Sequence, residues 1–325
     1  MARRTAQLFD LMFKSIIKDA SSSAIVHLIN GIYKKNYSLD TTAVKIEPTE
    51  FITEHPKSGK LKKIVSDIVI TLYDGNCKDT YFIEAQISDD IEMLLRIFNY
   101  SVLVALEGKE VSDDGSYMQI DMPSPAVIYW ESSETKDFVS IKIKFPNKRS
   151  VVYKVPAFKV LQHSVSELEN MALLLPFYIL KIRGELKKTK DSEKRKELSN
   201  RLEGYVIEIS QVLKRCVENN YITDRDAAML LRRLLSMNLE LYGKYREFKE
   251  VNMSKRLEKL VDPGFCERWD KALAKEAAKV EKRSLKQGKI AGLIEAAKSM
   301  LKDGLDPARV ARITDLPIKQ IRAMV

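Results

Sequence analysis

The sequence predicts an α/β fold, a mixed sheet flanked by helices and followed by an all-helical C-terminal region. Three observations carry this. Apolar residues recur at helical spacing up to Tyr33; the next hundred or so positions switch to β-branched and aromatic runs divided by turn signals; from Ser164 the helical period returns.

Taken in order, Leu8, Leu11, Met12, Ile16 and Ile17 mark a first helix. Ser21–Ser23 interrupts it and supplies capping hydroxyls for a second, Ala24–Tyr33. Thr42–Ile52, Ile64–Tyr73 and Thr80–Ile87 read as strands, and Asp74-Gly75-Asn76 joins the last two as a tight hairpin. Asp89 is placed to cap a helix from Ile91 to Leu106 that ends near Gly108. Ala126–Ser132 is a further strand, and Phe138–Phe145 alternates as an edge strand does. Helical patterns then cover Ser166–Leu180, Lys187–Asn219, Asp224–Leu241 and Phe265–Lys302. The piece Trp269–Leu301, with Leu273, Ala277, Val280, Leu285 and Ile290 near one stripe, offers a seam for a homodimer. Pro307–Ile313, a turn at Thr314–Leu316 and Pro317–Met324 form a helix-turn-helix-like end. A boundary at Gly184-Glu185 divides the chain into 1–184 and 185–325.

Charge is unevenly spread. Net charge is +10, yet residues 1–180 carry 21 Lys and Arg against 23 Asp and Glu, so the excess sits in the second part. Such a basic region suits a polyanion, although Lys-rich helices also read as solvated faces. No apolar run approaches the roughly 18 residues that span a bilayer, so no membrane partner is expected. Three widely spaced cysteines argue against a disulfide framework and fit a reducing, cytoplasmic setting.

The residues able to carry chemistry lie on the hairpin. Asp67 stands alone among Ile and Val, where a carboxylate needs a partner. In Phe82-Ile83-Glu84-Ala85-Gln86, alternation sends Glu84 and Gln86 to one face. Neighbouring strands bring Asp67 and Glu84 together, and two carboxylates with hard oxygen donors suit Mg²⁺ or Mn²⁺. An ion so held serves phosphodiester hydrolysis, with Gln86 placed to orient water. The bare spacing Asp-x16-Glu-x-Gln also describes a polar sheet face. The three histidines lack metal spacing, and no phosphate-cradling glycine loop is present.

Ser66-Asp67-Ile68-Val69, Phe82–Gln86 and a helix with Met93, Arg96 and Tyr100 together resemble the recombination-promoting nuclease/transposase family, a bacterial branch of the PD-(D/E)XK nucleases. Phe9–Lys14, Leu174–Lys181 and Ala296–Leu305 add scattered matches. The resemblance implies a restriction-endonuclease-like core and a metal-dependent DNA endonuclease, with Asp67 and Glu84 as metal ligands and DNA as partner, in recombination, mobile-element or phage-defence settings. Gln86 departs from the superfamily's Lys, and Arg96 is the nearest candidate to replace the charge. Arg96 also reads as a helix-face ion pair, and Tyr100 as packing between helix and sheet. Asp10 reads as an extra acid or as a surface residue. The alternative for the whole chain is a nuclease-fold protein that binds DNA and cuts it weakly or not at all.

Overall fold

The structure is a computed structural model that describes residues 2–47, 50–54, 61–65, 68–75, 77–87, 91–131, 136–248, 297, 300–301 and 306–314. The chain forms two compact units, Met1–Cys266 and Glu267–Val325.

The first unit opens with α1 (Ala2–Asp19) and α2 (Ser22–Tyr33). Ser21 separates them as expected, its Oγ accepting from the Ala24 amide at 3.3 Å. The buried stripe of α1 is Phe9, Phe13, Ile16 and Ile17, while Leu11 is 64% exposed. Four-residue spacing from Phe9 therefore sets the inward face, and Leu11 lies off it. Gly31 is required by close approach: a Cβ there would stand 2.3 Å from Met171 Cγ and 2.6 Å from the Asn170 carbonyl.

The sheet has six strands in the order β1-β4-β5-β8-β10-β9. They are β1 (Ala43–Ile46), β4 (Ile68–Asp74), β5 (Cys77–Gln86), β8 (Ser124–Tyr129), β9 (Phe138–Lys144) and β10 (Ser150–Lys159). Two small hairpins stand apart, β2 (Glu50–Glu54) with β3 (Leu61–Val65) and β6 (Glu110–Val111) with β7 (Met118–Gln119). The expected strands Thr42–Ile52 and Ile64–Tyr73 are thus each divided between two sheets. β4 and β5 are antiparallel with Asp74 opposite Cys77, and Gly75 takes the φ of +58° that this tight turn requires. β5 and β8 are parallel, the crossover being α3 (Glu92–Glu107), which ends at Gly108. β9 is the edge strand its alternation suggested.

β10 was not among the expected strands, and it carries Pro156, a residue rare inside a central strand. Its register explains the tolerance. Pro156 lies opposite Phe138 of β9, and pairing with β8 begins only at Ala157, so no ladder donor is needed from Pro156 on that side.

The sheet has a core on each face. On one, α1, α2 and the tight 3₁₀ turns of Glu167–Ile182 pack with Ile68, Ile70, Tyr81 and Ile83. Phe177 stacks on Trp130 at 4.0 Å there, and Phe13 meets Trp130 edge-on at 5.3 Å. On the other, Met93, Leu94 and Ile97 of α3 pack on Val69, Phe82, Val127 and Val155. α4 (Arg183–Lys188), α5 (Ser192–Glu218) and α6 (Asp224–Tyr242) follow. Leu198, Leu202, Val206 and Ile209 of α5 belong to the first core. The division expected at residue 184 therefore does not coincide with the compact units: the Lys-rich start of α5 is only its outer face.

His27 of α2 is buried, stacked on Tyr221 at 4.4 Å with Nε2 3.0 Å from the Glu169 carbonyl. Burial lowers its pKa, outweighing the opposite pull of that carbonyl and of the Glu169 charge. The unfolded chain, titrating near about 6.5, then takes up the proton first as pH falls, so the fold loses stability below that value. Scanning calorimetry between about pH 7.5 and about pH 5.5 is expected to show a falling midpoint, and a shallower fall in His27→Gln. Equal slopes in the two proteins would remove His27 from the account.

In the second unit, α7 (Pro307–Thr314) matches the expected Pro307–Ile313. Asp306 Oδ2 accepts from the Arg309 amide at 3.2 Å, and Val310 and Ala297 are buried with Met300, Leu301 and Ala311 against them. The turn and second helix expected after it, and nearly all of the Trp269–Leu301 seam, lie outside the described residues. Among the described residues no helix is long and apolar enough to cross a membrane.

Candidate functional site

On β5, Tyr81, Ile83 and Ala85 turn to the core beneath α1 and α2, whereas Phe82 turns to the core beneath α3. Strict alternation puts Glu84 and Gln86 on the α3 side with Phe82, as the sequence suggested. Glu84 is only 5% exposed. A carboxylate so placed among Val69, Phe82 and Val127 costs several kcal/mol or so unless it is partnered. Its Oε1 accepts from Gln86 Nε2 at 2.9 Å and lies 3.7 Å from Arg96 Nη2.

Arg96 reaches Glu84 because α3 is fastened to the sheet through Met93, Ile97 and Tyr100, each buried one turn from the next. Its side chain stays 44% exposed, so its attraction for Glu84 is modest and the guanidinium remains accessible from solvent. Tyr100 packs on Phe82, ring centroids 5.9 Å apart. Asp67 lies outside the described residues. Its neighbour Ile68 pairs with Ile83, the residue before Glu84.

β5, β8 and β10 run parallel, and their C-terminal ends are level: Gln86 is opposite Tyr129, and Tyr129 is opposite Lys159. The C-terminal ends of parallel strands are where open α/β sheets place their sites. Lys159 shares its face with Val155 and Ala157, is buried, and donates to Asp137 Oδ1 at 3.0 Å. Two strand spacings, about 10 Å, separate it from Gln86. Sequence reasoning missed this lysine, whose only local signal is that it ends the apolar stretch from Val155; its place depends on strand order.

The remaining candidates lie elsewhere. Asp10 pairs with Lys14 one turn along α1 at 3.0 Å. His163 stacks on Phe158 at 4.7 Å, and His55 is outside the described residues. Cys77 and Cys216 are free. Burial pushes the Cys216 thiol up to about 12, which keeps it protonated and unreactive at neutral pH. Among the described residues no three or more His, Cys, Asp or Glu gather where one ion could bind them all.

No protein-family model, curated protein or solved structure matches this chain.

Proposed function

We propose that the chain is a divalent-metal-dependent DNA endonuclease of restriction-endonuclease-like, PD-(D/E)XK type, acting at the α3-side face of β4 and β5. The observation that carries the reading is the buried Glu84 carboxylate, held between Gln86 and Arg96 on an otherwise apolar face. The order of an antiparallel hairpin, a crossover helix and a parallel strand, with helices on both sides, supports the fold assignment.

Asp67 is the second acid of the proposed site. Ile68 and Ile83 face one core as a pair, and Val69 and Phe82 face the other as a pair. Asp67 directly precedes Ile68 in the sequence, and the family resemblance gives it the second metal-ligand role beside Glu84. The donor set fits Mg²⁺ or Mn²⁺, which take hard carboxylate oxygens and keep several waters. When bound, such an ion polarises the phosphoryl group and lowers the pKa of a coordinated water. The chain's own part is to hold the two carboxylates in register and to position water through Gln86. Arg96 and Lys159 supply positive charge for the phosphate.

A second reading, a nuclease-fold protein that binds DNA and cuts it weakly, is favoured by one observation. Gln86 is neutral where the superfamily has Lys, and its amide already donates to Glu84. Both readings are tested by Asp67→Ala. Supercoiled plasmid is expected to be nicked by wild type in Mg²⁺ but not in EDTA, and by Asp67→Ala in neither. Undiminished nicking by the variant would sink the site; duplex binding without any nicking by wild type would leave the second reading.

A further inference from the structure

The β9–β10 hairpin carries charge that the proposed site does not use. Between Lys136 and Lys154, both included, six Lys or Arg residues stand against one acid, Asp137. β10 pairs with β9 from Ser150 to Pro156 but with β8 only from Ala157 to Lys159. Most of the hairpin is therefore a two-stranded ribbon that leaves the sheet.

Alternation gives this ribbon two faces. One lies on α3: Tyr153 hydroxyl is 2.8 Å from Ser101 Oγ, and its ring meets Phe98 edge-on at 5.3 Å. The other is exposed throughout and carries Lys142, Lys144 and Lys154, with Ser140 opposite Lys154 and Val152 opposite Lys142. Lys148 and Arg149 sit at the tip. Beside the tip, Val151 and Val152 are 56% and 47% exposed.

Lysines on an edge strand can serve only to block pairing with another strand, and that accounts for Lys142 and Lys144. At Lys154 β10 has no β8 beside it and is an edge too, so blocking extends to that residue, but it does not account for Lys148 and Arg149 in the turn. Together the five repel one another in water, and a polyanion relieves that repulsion by giving up its counterions. The shape narrows the choice. A two-stranded ribbon enters the B-form major groove, about 12 Å wide, whereas the A-form groove of double-stranded RNA is too narrow for protein side chains to read. Exposed Val152, opposite Lys142, suits apolar contact with thymine methyl groups.

We propose that the outward face and tip of the β9–β10 ribbon are a docking surface for duplex DNA, with Lys142, Lys144 and Lys154 neutralising backbone phosphates. For the identity of the polyanion this rests on the reading of the Glu84 face as one that acts on DNA; the charge and shape of the ribbon stand without it.

The test is the salt dependence of binding of the full chain to a short duplex in EDTA. The variant K142Q/K144Q/K154Q is expected to bind more weakly and to lower the slope of log K against log salt by about 2–3, since each phosphate contact contributes roughly 0.9. The separate variant K148Q/R149Q is expected to lower it by about 1–2. All five side chains are exposed, and the thermal midpoints are expected to match wild type. Wild-type slopes in both variants would overturn the ribbon and leave the Glu84 site standing. Equal or tighter binding of double-stranded RNA would overturn the choice of DNA. Failure of wild type to bind any duplex would overturn the ribbon and the nuclease reading together.

Discussion

Glu84→Gln is expected to lose at least about a hundredfold in Mg²⁺-dependent DNA cleavage while keeping the fold. The amide occupies nearly the volume of the carboxylate and still accepts from Gln86, whose Nε2 lies 2.9 Å away. It lacks the charge that binds a hard cation. Stability moves the other way. The buried carboxylate carries a desolvation cost, and the attraction of Arg96, at 3.7 Å and nearly half exposed, is modest. Neutralising Glu84 is therefore expected to leave the thermal midpoint unchanged or raise it, by about 0–2 kcal/mol in stability. Cleavage kinetics and calorimetry on one preparation check both halves. A variant that loses activity and stability together would mark Glu84 as a structural residue.

Asp226→Ala is expected to cost about 3 kcal/mol, the largest effect on stability from a single polar side chain here. Asp226 is buried in the first turn of α6, yet it serves the other end of the chain. Its carboxylate accepts from the Ser21 amide at 2.8 Å, the Thr223 amide at 2.9 Å and the Thr223 hydroxyl at 2.7 Å, and also from the Ser21 hydroxyl. Thr223 in turn accepts from the Asp226 amide, completing a capping box. Removing the carboxylate leaves the Ser21 N–H unpaired at the junction of α1 and α2 and the Thr223 N–H unpaired at the start of α6, and removes a negative charge that the helix N-terminus favours. Urea unfolding is expected to show a lower midpoint with an unchanged slope, and Asp226→Asn about half the loss. A loss below about 1 kcal/mol in Asp226→Ala would mean that water replaces the carboxylate.

Several features were legible because a local signal coincided with the tertiary demand. Ser21–Ser23 divides α1 from α2, Asp74-Gly75 closes the β4–β5 hairpin, and Gly108 ends α3. The face shared by Glu84 and Gln86 followed from alternation alone. Other features depended on partners distant in sequence. Phe13 faces inward because Trp130 and Phe177 are there to receive it, and nothing within α1 ranks it above Leu11. β10 was missed, and its Pro156 is harmless only where β8 is not yet alongside. Ser166–Leu180 read as helical, but Met171–Leu180 is apolar all round, so periodicity did not reveal the tight turns or the kink at Met171. Lys159 reaches the Gln86 row through the strand order β5-β8-β10, which no local pattern specifies.

The central claim is that a divalent ion sits between Asp67 and Glu84, and iron-mediated scission measures its location. Fe²⁺ replaces Mg²⁺, and ascorbate with peroxide then generates hydroxyl radicals that cut the polypeptide beside the bound iron. The account expects two clusters of cuts, one next to Asp67 and one next to Glu84, both suppressed by excess Mg²⁺ and absent from Asp67→Ala. Cuts confined to other segments, or none above background, would contradict it.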